Sequence, residues 1–233
     1  MENKKEINDI TMYKGDCLEV MDRLIEQGVV VDAIITDPPY GTTACKWDSI
    51  IDFDEMWLRL NKLIKPNGAI VLFGSEPFSS ALRMSNIKNY KYDWVWKKRL
   101  ADNVFFAESQ PMKIHENILI FNSSKENFFP IKTEEGKNPR SIIDISNANR
   151  KGNTHPAQKP IPLMEYLIKT YTNEDELVLD FTMGLRTTGV AAKNLNRNFI
   201  GIEMDDKYFK IAKERIAKER IEKERIEKEI KGD

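Results

Sequence analysis

The sequence predicts an α/β protein: a mostly parallel sheet covered by helices on both faces. Short apolar runs alternate with stretches of helical periodicity along the chain, the pattern of strands joined by crossover helices. One run, Val29 to Thr36, is apolar almost throughout, as a strand buried on both faces must be. Further on, Leu177 to Phe181 passes through a glycine-containing loop into a helix, a unit that cradles nucleotides.

The elements follow in order. Ile10 to Tyr13 reads as a short strand ending at Gly15-Asp16, and Cys17 to Gln27 as a helix with Leu18, Met21, Leu24 and Ile25 on one face. The strand Val29 to Thr36 stops at Asp37-Pro38-Pro39-Tyr40, which continues neither strand nor helix. Phe53 to Ile64 is a helix closed by Lys65-Pro66-Asn67-Gly68; Ala69 to Phe73 is a strand and Pro77 to Met84 a helix. Tyr92 to Trp96 and Ile118 to Phe121 are strands, with Trp94 and Trp96 as core aromatics. Ser123 to Asn153, rich in Asn, Ser, Lys and Gly, is a loop-dominated insertion. Pro160 to Tyr171 is a helix with proline near its start, where proline is favoured. Leu177 to Phe181 is a strand, Gly189 to Leu195 a helix and Phe199 to Glu203 the last strand. Residues 1–208 form one domain, and 209–233 a charged helix whose five-residue repeat from Ile211 to Ile230 gathers no apolar stripe. Its Glu214/Lys218, Glu219/Lys223 and Glu224/Lys228 pairs suit a solvated face.

Composition excludes several classes. Apolar residues at 41% fit a globular enzyme rather than a disordered chain. Two cysteines, Cys17 and Cys45, without a CxxC or a His/Cys cluster, argue for a reducing compartment and against a structural zinc. Met1 to Asn8 has no apolar core for a signal peptide, and no apolar run approaches a membrane span, so a cytoplasmic protein is expected. Net charge is −1, yet Lys97 to Lys159 holds 11 Lys/Arg against 7 Asp/Glu, a local excess of +4. A basic stretch on a near-neutral protein suits a DNA-facing segment.

Asp37-Pro38-Pro39-Tyr40 closes a buried strand, and ligands of open parallel sheets bind beyond the carboxyl ends of strands. The exocyclic amine of a nucleobase is a poor nucleophile because its lone pair is delocalised into the ring. A carboxylate (Asp37) and a carbonyl (Pro38) that accept its two hydrogens turn that pair outward. Pro39 completes the same catalytic motif, and Tyr40 offers a ring on which a base can stack. Such a base must leave the duplex to reach them. Glu203 ends the strand that follows the glycine loop, 19 residues after Gly184, close to the spacing at which an acidic residue holds ribose hydroxyls. His155-Pro156-Ala157-Gln158-Lys159-Pro160 leads into a helix. His115 reads as a structural residue rather than a catalyst.

Together these motifs resemble the β-group DNA amino-methyltransferases, in which the catalytic motif precedes the cofactor motif; the likeness runs from about Ile10 to Tyr208. It implies a Rossmann-like class I methyltransferase fold with a seven-stranded sheet. The cofactor implied is S-adenosylmethionine, and the reaction is methyl transfer to adenine N6 in double-stranded DNA. Cytosine N4 is the close alternative, which DPPY rather than an SPPY variant disfavours. By resemblance, Asp16, Asp37, Phe181, Gly184, Thr187, Thr188 and Glu203 bind the cofactor, and the HPAQKP segment lies beside its methionine portion. A target-recognition insertion at about 97–153 contacts phosphates through Lys97, Lys98, Arg99, Arg140, Arg150 and Lys151. A homodimer and a cognate restriction enzyme are further implied partners; no metal is expected.

The chain departs from the family at one loop. Where Phe-x-Gly-x-Gly is usual, it reads Phe181-Thr182-Met183-Gly184-Leu185-Arg186. Glycine serves such loops through positive φ and close backbone approach. Arginine at 186 predicts weakened cofactor binding, and in the extreme a catalytically inactive DNA-binding relative.

Overall fold

In the computed structural model the alternating elements form one nine-stranded sheet; residues 4–7, 10–42, 48–147, 158–184 and 187–214 are described. In chain order the strands are β1 (Lys4–Ile7), β2 (Ile10–Lys14), β3 (Val31–Thr36), β4 (Ile64–Gly74), β5 (Tyr90–Lys97), β6 (His115–Phe121), β7 (Ile142–Asp144), β8 (Leu177–Asp180) and β9 (Asn198–Glu203). The helices are α1 (Cys17–Glu26), α2 (Phe53–Leu63), α3 (Phe78–Ser85), α4 (Ile161–Tyr171) and α5 (Thr187–Asn194). Residues 206–214 are also helical. The rest of the predicted charged helix, residues 215–233, lies outside the described residues.

The strand order is β1-β2-β9-β8-β3-β4-β6-β5-β7. The seven predicted strands form the body of the sheet, and β1 and β7 extend it at its two edges. Five of the eight pairings are parallel; β1·β2, β4·β6 and β5·β6 are antiparallel. Lys65 to Gly68, predicted as the break after a helix, instead forms an irregularity within β4, between the Ile64 and Ala69 pairings to β3.

Two apolar layers hold the sheet. Val20, Met21 and Leu24 of α1, Met56, Trp57 and Leu60 of α2, and Phe78 and Leu82 of α3 cover one face. Leu163, Met164, Leu167 and Ile168 of α4 and Ala191 and Ala192 of α5 cover the other. β3 is buried at every position, and its residues alternate between the layers: Ala33 and Ile35 face α4 and α5, while Ile34 faces the opposite helices. That accounts for the near-continuous apolar run in the sequence. Trp94 and Trp96 are buried as predicted. Trp94 donates to the Tyr171 hydroxyl at 2.7 Å and Trp96 to the Ile145 carbonyl at 2.8 Å.

This topology fixes where a site can lie. From β3 the chain moves to β4 on one side, whereas β8 is followed by β9 on the other. The gap between the carboxyl ends of β3 and β8 is therefore the switch point at which ligands enter such sheets. β5 runs in the same direction as β4, each being antiparallel to β6. The start of β6 accordingly lies on the same edge as the ends of β3, β4, β5, β8 and β9.

Candidate active site

Asp37 to Tyr40 leaves β3 at this switch point, because the two prolines cannot continue the ladder. Asp48 holds the turn in shape. Its Oδ1 accepts the backbone N–H groups of Tyr40 (2.8 Å) and Gly41 (2.9 Å), and its Oδ2 accepts that of Thr42 (2.9 Å). Gly41 has φ +67°, and a Cβ there would lie 2.8 Å from Ile50, so glycine is required on both counts. On the other side the Thr182 hydroxyl donates to the Asp37 backbone carbonyl at 3.1 Å.

The Asp37 side chain has partners on both oxygens. Oδ1 accepts the Tyr40 hydroxyl at 2.5 Å, and Oδ2 accepts Lys159 Nζ at 2.6 Å. Burial raises the Asp37 carboxyl above its usual range, the charge of Glu116 adds to the rise, and Lys159 and the Tyr40 hydrogen bond oppose it. Burial, and then Asp37 and Glu116, also push the Tyr40 phenol up, so it stays a donor. The Tyr40 ring stacks on Phe78 at 5.0 Å, with 29° between planes.

Asp180, the last residue of β8, anchors the loop opposite. It is buried and accepts hydrogen bonds from the hydroxyls of Thr36 and Thr188 (2.5 Å for Thr188) and from the Thr182 N–H at 3.2 Å. Burial pushes its carboxyl up to about 6, with Asp37 adding to the rise against these hydrogen bonds. Gly184 follows at φ +51°, and α5 then starts at Thr187. On the neighbouring strand end, burial raises the Glu203 carboxyl. Its Oε1 accepts the Asp205 N–H at 2.7 Å, and its backbone carbonyl accepts that of Gly15 at 3.1 Å. Gly15-Asp16, Gly184 and Glu203 are thereby brought to one edge.

Several predicted roles change. Phe181 is wholly buried, with its ring in the α1–α3 core, and anchors the start of the loop there. The Thr188 hydroxyl is occupied by Asp180, and that of Thr187, buried, accepts Gln158 Nε2 at 2.9 Å. Asp16 caps α1, its Oδ1 accepting from Leu18 N at 2.9 Å and Glu19 N at 3.2 Å. Lys98, predicted on phosphate, is 4% exposed and pairs with Asp102 and Glu116; a buried, doubly paired ammonium cannot serve a duplex. Lys97 is exposed and pairs with Asp144 at 2.7 Å. Arg99 and Arg140 are exposed, as is His115, which takes no part in the site. Arg150, Lys151, His155 to Ala157, and Leu185-Arg186 lie outside the described residues.

Sequence reasoning missed Glu116, Asp48, Asp180 and the Thr36/Thr182 pair, and it placed Lys159 beside a cofactor rather than on Asp37. Lys159 could have been found from the HPAQKP motif, in which it is the last residue before the closing proline, and Glu116 from its place beside His115.

A carboxylate-prolyl turn facing a glycine loop across the switch point of a doubly wound sheet defines an enzyme of the methyltransferase class. The chain belongs to the N6/N4 DNA methylase family, whose pattern matches residues 31–214. It is 30% identical over 214 residues to the Type II methyltransferase M.HpaI of Haemophilus parainfluenzae, covering 79% of this chain and 68% of that one. It is 27% identical over 260 residues to M.HinfI of Haemophilus influenzae, covering 91% and 70%. Among solved structures it resembles M1.HpyAVI in complex with SAM (TM-score 0.71, 32% identity, 88% of this chain and 99% of that one). The cytosine-N4-specific PvuII DNA methyltransferase shares the fold at 20% identity and TM-score 0.70, covering 91% of this chain and 89% of that one. Among the described residues no helix is long and apolar enough to cross a membrane, and no cluster of His, Cys, Asp and Glu could hold a metal ion.

Proposed function

We propose that this chain methylates the N6 amine of adenine in double-stranded DNA, with S-adenosylmethionine as donor. The observation that carries the reading is Asp37: a carboxylate held by Tyr40 and Lys159 at the switch point, directly before the Pro38 carbonyl. Its side chain is still 32% exposed, so a ligand can reach it.

The residues present fit the cofactor. Glu203, at the end of β9, is a carboxylate of the kind that accepts ribose hydroxyls. Gly184, in the left-handed region, lets backbone approach a ligand without a Cβ. The N-terminus of α5 suits the carboxylate of an amino-acid moiety. When bound, S-adenosylmethionine supplies a methyl group on a cationic sulfur, so neither a metal nor a covalent enzyme intermediate is needed. The protein's part is to hold the amine. Asp37 accepts one of its hydrogens and the Pro38 carbonyl the other, which localises the nitrogen lone pair toward the incoming carbon. Once methylated, the nitrogen is cationic and sheds a proton, for which Asp37 is the placed acceptor. Tyr40, backed by Phe78, takes the extruded base on its free side. Exposed Lys97, Arg99 and Arg140 contact phosphate. A homodimer and a restriction partner follow from the resemblance alone.

The test is methylation of duplex DNA by the full chain, followed by mass spectrometry of its nucleosides. N6-methyladenine that vanishes with Asp37→Ala is expected; N4-methylcytosine in its place overturns the base assignment. A second reading, a non-catalytic DNA-binding relative, is favoured by Leu185-Arg186. Recovery of methylation by Arg186→Gly identifies an impaired enzyme instead.

A further inference from the structure

Asp37 is the outer end of a line of alternating charge. Lys159 Nζ, 2.6 Å from Asp37 Oδ2, lies 3.0 Å from Glu116 Oε2. Glu116 Oε1 meets Lys98, which also meets Asp102. Side-chain exposure falls from 32% at Asp37 to 10% at Lys159, 11% at Glu116 and 2% at Lys98, then rises to 48% at Asp102. The Lys159 ammonium is also walled by aromatic faces, Phe73 at 5.0 Å and Tyr40 at 5.9 Å. Four elements supply this line: the β3 loop, the segment leading into α4, the start of β6 and the β5–β6 connection.

Burying an ammonium requires a partner, and Glu116 alone would satisfy that need. The second carboxylate on Lys159 is instead Asp37, a third exposed at the mouth of the site. An ammonium shared between an enclosed carboxylate and an open one exerts its field on the open one. We propose that Lys159, braced from behind by Glu116, is a positioning residue that holds Asp37 ionised and its carboxylate fixed at the mouth of the site, an inference that rests on Asp37 being the amine acceptor.

The charged and titratable groups facing Asp37 set the signs. Burial and the negative charge of Glu116 favour its protonated form, while Lys159 and the Tyr40 hydroxyl favour its carboxylate. Asp180, across the switch point, interacts unfavourably with it. Glu116 itself is held down to about 2: burial opposes its ionisation, but Lys159 and Lys98 together outweigh it. Lys98 and Asp102 complete the set at the far end. Losing Lys159 and losing the charge of Glu116 must therefore move Asp37 in opposite directions. A brace that only holds the fold together would move it the same way in both variants, or not at all.

The experiment is a carboxyl ¹³C NMR titration of the full chain labelled at aspartate, with Asp37 assigned from D37N. It is run on the wild type, K159M, K159R and E116Q. These substitutions leave the remaining buried charges paired, Glu116 with Lys98 in K159M and Lys159 with Asp37 in E116Q. K159M should displace the Asp37 midpoint upward, E116Q downward, and K159R should return it near the wild type. If K159M does not fold, K159Q, which keeps a donor but drops the charge, is read the same way. The acid limb of kcat/KM should follow, with activity at a given acid pH falling about tenfold for each pH unit of upward displacement and gaining for a downward one. Midpoints that stay fixed or move together in K159M and E116Q overturn the proposal. Opposite displacements in a wild type that transfers no methyl group leave the charge line standing and refute the proposed activity. Methylation with unmoved midpoints does the reverse.

Discussion

Asp180 offers a stability test whose size follows from the site. The residue is 3% exposed, and its carboxyl is shifted from 3.8 to about 6. Between those values the folded chain binds a proton that the unfolded chain has released, so stability falls as pH rises. At about 1.4 kcal/mol per pH unit, the interval makes ionised Asp180 cost the folded state about 3 kcal/mol. The substitution Asp180→Asn would keep the shape without the charge, and the Thr188 hydroxyl can turn from donor to acceptor. Any change in hydrogen bonding that the amide brings is independent of pH, so only the slope matters. Urea unfolding of both proteins, followed by fluorescence of buried Trp94 and Trp96, gives the difference in stability across the window. The variant should gain about 3 kcal/mol on the wild type between about pH 4 and about pH 7. A difference constant to within about 1 kcal/mol would refute the claim that Asp180 is ionised at a cost, and with it the burial argument for the switch point.

Other outcomes follow from single contacts. Asp48→Ala removes the charged acceptor of three backbone N–H groups; it should cost about 2–3 kcal/mol in urea unfolding, and loss of methylation should exceed loss of stability. Lys98→Met takes one of two cationic partners from buried Glu116, which keeps Lys159; it should destabilise the fold by about 1–3 kcal/mol in urea unfolding while leaving the salt dependence of DNA binding intact. Arg99→Ala should instead lower the salt slope by about 1, read by fluorescence anisotropy, with stability unchanged. Arg186→Gly should tighten S-adenosylmethionine binding by on the order of tenfold by calorimetry, because glycine in such a loop lets the backbone approach a ligand without a side chain in between; equal affinities would mean the loop tolerates arginine.

The strands legible in the sequence were those whose composition follows from burial. Val29 to Thr36 is apolar because helices cover both of its faces, and the six other predicted strands carry enough apolar residues to show against their neighbours. The two edge strands lacked that signal. Lys4–Ile7 is three-quarters charged and becomes a strand by pairing antiparallel with β2. Ile142–Asp144 spans three residues, too few to display a period of two. The irregularity at Lys65 to Gly68 was hidden because proline and glycine signal a break equally well between elements and within a strand.

The site divides along the same physical line. Asp37 to Tyr40 could be found because two prolines after an apolar run are a local fact, and Glu203 because its spacing from Gly184 is set by one intervening helix. Lys159 meets Asp37 across 122 residues of chain, and Asp180 meets Thr36 across 144; no local pattern encodes either contact. The sequence also cannot tell a lysine that faces DNA from one that neutralises a neighbour. Lys98 and Lys159 count toward the basic excess of the stretch from Lys97 to Lys159, yet the fold turns both inward onto Glu116. Composition therefore locates the basic segment but overstates the charge it offers a phosphate, and Lys97, Arg99 and Arg140 remain as exposed candidates among the described residues. The motif identifies the group proposed to accept the amine's hydrogen, whereas the charges that bear on its ionisation, Lys159, Glu116 and Asp180, arrive from three different elements. Reactivity at this site is thus a property of the assembled edge of the sheet: the same four-residue motif without Lys159 behind it would present a carboxyl group far more willing to hold its proton.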